Sequence, residues 1–429
     1  MTFSLHQTAE NAQINDTQLC ALIDQYIATR LSTAKRVLLL PPDLTRFHSK
    51  AGFITQHLYQ QLKDQCEIQI MPALGTHDPM TDKELDMMFG TDIPKSCFKP
   101  HFWRKDVKKV GQISSERMLA LSEGKLNYTM DVGVNKLLLD EDWDAIVSIG
   151  QIVPHEVIGM ANYTKNILIG VGGEDTIHKS HFLGAAYGME RIMGRILTPV
   201  RQALNEGFDQ YLAHLPIDFI FTVLGKHQDE LALKGVFCGN SYATYEQASL
   251  LSQQQNLNLL DKPIKKAVVY LDPTEFKTTW LGNKSIYRTR MAIADGGELI
   301  VLAPGLKRFG EDISIDGLIR KFGYRTTDET LAAIDNNPDL KDNLSAAAHL
   351  IHGTSDNRFT VTYCPKDEVS QQEIEQVNYQ YCHYDEMVQR YPIESLKNGW
   401  NTLPDGEEIF YVSNPALGLW TTKENFENQ

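Results

Sequence analysis

Short apolar runs alternating with amphipathic stretches organise the first half of the chain. Arg36–Leu40 (RVLLL) is apolar after its first residue and is stopped by Pro41-Pro42-Asp43, the pattern of a buried strand feeding a loop. Phe53 to Leu62 spaces its apolar residues as a helix does. Ile68–Leu74 (IQIMPAL) reads as the next strand and ends in Gly75-Thr76-His77. Met80 to Phe89 reads as a helix, its start marked by Thr81 and Glu84 in capping-box spacing. Ala145–Ile149 and Ile167–Val171 repeat the strand-then-glycine pattern. In an open α/β sheet ligands bind outside the carboxyl ends of the strands, so the polar clusters that follow these strands mark the expected active site.

A second α/β unit is predicted from Lys265 onward. Ala267–Leu271 and Leu299–Leu302 read as strands, separated by a helix over Ser285 to Ala294 that carries Arg288 and Arg290. The Pro-containing break at Leu260–Pro263, after the Gln-rich Ser252–Asn256, sets the boundary. The expected organisation is two α/β domains with parallel-type sheets and the active site in the cleft between them. Residues 1–262, rejoined by the tail 400–429, form the cofactor-binding domain, and residues 263–399 the other.

Composition narrows the function. A chain of 429 residues, 42% of them hydrophobic, is long enough for two or three domains. Its 41 basic and 55 acidic residues give a net charge of −14, which argues against nucleic acid or an anionic membrane as partner. An anionic ligand then needs a local basic pocket. No basic leader precedes an apolar stretch, no long apolar run occurs, and the six cysteines lack CxxC spacing. These features predict a soluble cytoplasmic protein with neither a disulfide framework nor a thiolate zinc site.

The densest chemistry lies in Gln151 to Gly188, which holds His155, Lys165, His178 and His181 around the apolar run Asn166 to Val171. An amine buried before such a run loses its charge easily and becomes a nucleophile or covalent anchor, although a lysine there is more often a solvated flank. His178 and His181 share a face if their segment is helical, so that one can ligate a metal. No HExxH motif accompanies them. Gly170, Gly172 and Gly173 resemble a phosphate loop without its later spacing.

Asp43-Leu44-Thr45-Arg46 follows the first strand. An Arg fork suits a carboxylate or phosphate, the Thr hydroxyl adds a donor, and Asp43 orients the Arg or accepts from a ribose hydroxyl; a capped turn with a surface ion pair is the plainer alternative. His77 and His155 sit in turns where an imidazole acts as general acid or base, or merely caps a helix. Lys284, Arg288 and Arg290 form a basic segment suited to an anion. His349 and His352 share a helical face and are read as structural or interfacial.

Taken in order, Asp43 to Arg46, His77, His155, Lys165 and His181 give a pattern that resembles the lactate racemase family of nickel-pincer enzymes, with ten residues from His155 to Lys165 and sixteen from Lys165 to His181. The likeness spans nearly the whole chain. It implies a racemase or epimerase that inverts C2 of a 2-hydroxy acid by reversible hydride transfer. The implied cofactor is the nickel(II) pyridinium-3,5-bisthiocarboxylic acid mononucleotide, covalently held by Lys165, with His181 completing the nickel coordination. His77 and His155 would alternate as acid and base, Asp43, Leu44, Thr45 and Arg46 would bind cofactor, and Arg46 would also meet the substrate carboxylate. Cofactor-maturation enzymes are implied partners, and self-association is left open.

Where the lactate enzymes continue into proline, this chain has Phe47-His48-Ser49-Lys50. With Lys284, Arg288 and Arg290, the added His48 and Lys50 point to a longer polyhydroxylated substrate, because each substrate hydroxyl in a closed site needs a polar partner. An aldonic acid such as gluconate or mannonate is expected, with lactate or another short 2-hydroxy acid as the alternative. A non-catalytic cofactor-binding or maturation protein, and a metal-dependent sugar-acid lyase using His178 and His181, are the rival readings.

Overall fold

The computed structural model describes residues 2–140, 142–228 and 230–427. Contacts divide the chain into two units, Met1–Ser180 with Met193–Asn256, and His181–Ile192 with Leu257–Gln429.

In the first unit, six strands, Ser4–Thr8 (β1), Arg36–Leu40 (β2), Glu67–Ile70 (β3), Ala145–Gln151 (β4), Ile217–His227 (β5) and Glu230–Gly239 (β6), form one sheet in the order β1-β6-β5-β4-β2-β3. The strands β3, β2, β4 and β5 run parallel, while the β5–β6 hairpin and β1 are antiparallel additions. Val37 to Leu40 are all fully buried, as an interior parallel strand covered on both faces requires. Helices Asp16–Tyr26 (α1), Ala51–Leu62 (α2) and Asp82–Phe89 (α3) contribute Leu19, Ile54, Leu58 and Phe89 to a core that also takes Val37, Leu39, Val147 and Ile220 from the sheet. Thr81 and Glu84 make the capping box reciprocally. The neighbours of Ile220, Phe219 and Phe221, point to the other face, where they pack tilted or edge-on against Tyr163 and Tyr245.

The chain runs from β2 to β3 on one side and reaches β4 on the other. The sheet therefore has its topological switch point between β2 and β4, where such folds open a crevice at the carboxyl ends of the strands.

In the second unit, Ile264–Tyr270 (β7), Ile293–Ala303 (β8), Phe359–Pro365 (β9), Gln380–Tyr381 (β10), Gly399–Thr402 (β11) and Glu408–Val412 (β12) form a sheet ordered β10-β9-β8-β7-β12-β11, parallel except for β11. The fold class is the expected mixed α/β with parallel-type sheets.

Three expectations need correction. The tail, expected to rejoin residues 1–262, is counted with the second unit: β12 pairs with β7, and Leu419–Thr422 pairs with Leu257–Leu260, which belong to that unit as well. The helix expected over Ser285 to Ala294 is two short turns, Thr279–Gly282 and Lys284–Tyr287, after which Ile293 already starts β8. Finally, Ile167–Val171 is not a strand. Asn166–Gly170 is a π-helical turn, because the Asn166 amide donates to Leu40 O at 3.2 Å and Ser148 Oγ at 2.8 Å and draws the segment onto the ends of β2 and β4. Among the described residues no helix is long and apolar enough to cross a membrane.

Candidate active site at the carboxyl ends of the parallel strands

The loop after β2 is a 3₁₀ turn, Leu44–Ser49, whose N-cap is Asp43. One Asp43 oxygen accepts from the Thr45 backbone N–H at 3.2 Å and from the Thr45 hydroxyl; the other lies 2.6 Å from His77 Nδ1. The tetrapeptide is thus a capped turn, and the capping carboxylate also reaches the histidine that follows the next strand. Burial works to raise the Asp43 pKa, but hydrogen bonds from His77 and Thr45 and the charges of His77 and Arg46 win, holding it below the ordinary carboxylate value. Arg46 is exposed and donates to Thr45 O.

His77 reaches Asp43 because Gly75 turns the chain at φ +57° and its N–H bonds Gly170 O at 2.8 Å. The Ala73 N–H bonds Pro41 O at 2.7 Å, locking the loops after β2 and β3 side by side. With Nδ1 donating to an ionised carboxylate, Nε2 is the ring nitrogen left to face away from the pair. His155, beyond the end of β4, has the opposite arrangement. Its Nδ1 accepts the Val157 backbone N–H at 3.1 Å, which assigns the ring hydrogen to Nε2. Glu156, 3.9 Å from the same nitrogen, is too far to be a hydrogen-bond partner there. The two imidazoles are therefore held in opposite tautomers, one with Nε2 able to accept a proton and the other with Nε2 carrying the ring hydrogen.

Lys165 is half-buried at the start of the π-turn. Burial, followed by repulsion from Arg46 and Arg201 against the attraction of Glu156, lowers its pKa to about 8. At pH 7 roughly a tenth of such amines are uncharged, against well under a thousandth at an ordinary lysine pKa. His48 hydrogen-bonds Gln151, yet burial and the Arg46 charge lower its pKa.

Other expected residues lie elsewhere. His178 and His181 are on one helix, Glu174–Tyr187, at a shared face, with His181 counted to the second unit. His178 packs edge-on against Trp103 at 5.9 Å. Among the described residues no group of three His, Cys, Asp or Glu side chains could hold a metal ion unaided. The glycines are not a phosphate cradle: a Cβ at Gly172 would lie 1.8 Å from Leu168 O and one at Gly173 2.8 Å from Val107, so close packing explains both, and Glu174 and Asp175 repel anions from the helix start. Lys284 and Arg288 are half-buried. Arg290 is a correction. It is 2% exposed and engaged by Glu190 at 2.8 Å, Asp356 at 2.9 Å and Thr354 O at 3.0 Å, so it is a structural charge and not a substrate ligand. His349 is structural as expected, buried and paired with the Tyr324 hydroxyl at 2.9 Å, with burial lowering its pKa to about 3.

Sequence reasoning missed Asn166, Arg201 and His101. Buried His101 bridges Gly172 O at 3.1 Å and the Asn135 amide at 2.9 Å, fixing the double-glycine loop. No local motif announces any of them, since each acts on a backbone oxygen remote in sequence.

The fold and site define an α/β protein with a His–Asp pair and a low-pKa lysine on adjacent strand-end loops. Residues 4–191 match the model of the lactate racemase N-terminal domain. No curated protein matches the chain. Among solved structures it is similar to a Thermotoga maritima structural-genomics protein, at 22% identity and TM-score 0.80, over 97% of this chain and 100% of that one. It also resembles the lactate racemase apoprotein of Thermoanaerobacterium thermosaccharolyticum, at 16% identity and TM-score 0.66, over 90% of this chain and 87% of that one. Both likenesses concern the fold.

Proposed function

We propose that the chain is a 2-hydroxy acid racemase or epimerase that uses the tethered nickel-pincer nucleotide, with an aldonic acid as substrate. The observation that carries this reading is the Asp43–His77 pair at 2.6 Å on the loop next to the turn of Lys165, whose amine has a pKa of about 8. A covalent tether needs an uncharged amine near neutral pH, and Lys165 meets that need. The pincer brings its own metal donors, so the protein need add only His181. Asp43, Leu44, Thr45 and Arg46 would hold the nucleotide.

When bound, the cofactor would accept the C2 hydride and return it to either face. The rest falls to side chains. Arg46 binds the substrate carboxylate. His77 Nε2 takes the 2-hydroxyl proton from one epimer, and its imidazolium is stabilised by Asp43. His155, in its protonated form, would return a proton from Nε2 to the 2-oxo oxygen as the opposite epimer forms and be left as the neutral ring, and the roles would exchange in the reverse direction. His48 and Gln151, hydrogen-bonded to each other beside this loop, supply polar groups for further substrate hydroxyls.

Protein co-produced with cofactor-making enzymes should carry a nickel- and sulfur-containing adduct that Lys165→Ala removes, read by intact mass. The holoenzyme should epimerise gluconate or mannonate at C2 with higher catalytic efficiency than it racemises lactate. A wild-type protein without adduct sinks the cofactor reading; a preference for lactate sinks only the sugar-acid reading.

A further inference from the structure

Lys165 closes a segment whose backbone is held against its own preference. Asn162 and Tyr163 have φ of 67° and 59°, two successive left-handed residues that both carry Cβ atoms. Three oxygens of this segment converge on one guanidinium. Arg201, fully buried on the helix Pro199–Tyr211, donates from Nη2 to Met160 O at 2.7 Å and from Nη1 to Asn162 O at 3.0 Å and Thr164 Oγ1 at 2.9 Å. The Thr164 hydroxyl passes its own hydrogen to Asn205 Oδ1 at 2.7 Å, one turn further along the same helix. Tyr245 lies against the guanidinium, 4.4 Å from its carbon to the ring centroid. On the far side of Lys165, Asn166 is fastened to Leu40 and Ser148. The lysine thus stands between two clamps.

The acceptors are also informative. A buried arginine usually meets a carboxylate, but these three bonds go to neutral oxygens, so its charge is felt by its neighbours. A fork of donors is needed to reach three diverging oxygens at once, which the point charge of a lysine does not provide.

We propose that Arg201 is a positioning residue for Lys165: its guanidinium, by bonding Met160 O, Asn162 O and the Thr164 hydroxyl, holds the strained turn from which the lysine amine is presented to the strand-end loops. The proposal takes the use of that amine from the tether reading above. The charge of Arg201 also adds to that of Arg46, against Glu156, in keeping Lys165 readily deprotonated.

The test uses cofactor-free full-length protein. The rate of reductive methylation of Lys165, read on its peptide by mass spectrometry, is followed against pH, and hydrogen exchange is measured over residues 160–166. The wild-type rate should be half-maximal near pH 8. Arg201→Gln should move that midpoint upward by at least half a pH unit and speed exchange more than tenfold. Arg201→Lys should speed exchange while leaving the midpoint near wild type, a separation that a generally loosened fold would not produce. A midpoint or an exchange rate in Arg201→Gln equal to wild type overturns the proposal. If both variants fail to fold, Thr164→Val decides, because it removes one acceptor and keeps the charge: faster exchange at 160–166 supports the proposal, unchanged exchange overturns it. Failure of the tether reading looks different, since the wild type made with cofactor enzymes would then lack an adduct whatever Arg201 does.

Discussion

Replacing Asp43 by Asn strikes the 2.6 Å contact with His77 while leaving the shape of the site almost unchanged. The stability cost should be small. Asp43 is 7% exposed, but the His77 side chain is 56% exposed, so solvent screens the pair, and exposed pairs contribute about 0.2–1 kcal/mol. The Asn oxygen can still accept the Thr45 N–H, so the cap survives. The chemical cost should be large. With its oxygen on Thr45, the Asn amide turns its NH₂ toward His77 Nδ1, which must then accept, and the ring hydrogen moves to Nε2. The base is lost through the wrong tautomer, a defect worth roughly 10²–10⁴ in turnover. Two assays follow the effect: kcat of the cofactor-loaded enzyme on its 2-hydroxy acid, and the His77 tautomer by long-range ¹⁵N–¹H NMR on cofactor-free protein. Activity within threefold of wild type, or an Nδ1–H signal retained in the variant, would refute the reasoning. The pH dependence has a defined sign. The lowered pKa of Asp43 contributes stability above the ordinary carboxylate pKa of about 4, and that contribution fades as pH falls through the lower folded value, so wild type and variant should converge in acid.

Lys165→Met should stabilise the cofactor-free protein at pH 7, where the wild type holds a half-buried ammonium. The folded pKa of about 8 lies below the ordinary value of 10.5, so the wild type gains stability as pH rises between them and the difference in Tm should shrink; a difference that does not change from pH 7 to 10 contradicts the desolvation account. Arg290→Met should destabilise by about 1–3 kcal/mol in urea unfolding, because it removes the buried partner of Glu190 and Asp356 while Glu190 keeps its ion pair with Arg358. A loss below about 1 kcal/mol would show that the network is not structural.

The parts of this fold that were legible in the sequence are those in which a side chain reports on its own segment. Val37 to Leu40 announce a buried strand because each is apolar, and Thr81 with Glu84 announces a helix start because the cap is closed within four residues. The strand ends were readable too, and with them Asp43, His77 and His155, since the turn residues after each apolar run are local signals. The π-turn at Asn166–Gly170 was not. Its composition, NILIG, is that of a strand, and what overrides this preference is the Asn166 amide bonding Leu40 O and Ser148 Oγ, groups that lie 126 and 18 residues away. The same distance hid Arg201, which in sequence is one cation on an amphipathic helix and in the structure is the donor to three oxygens around Lys165. Arg290 failed in the opposite sense. A basic cluster in sequence suggests an anion site, yet whether a guanidinium is available depends on acids brought to it by the fold, here Glu190 and Asp356. The candidate site residues were therefore found where strands end, whereas the residues that hold the backbone around them act through backbone oxygens and leave no pattern of their own.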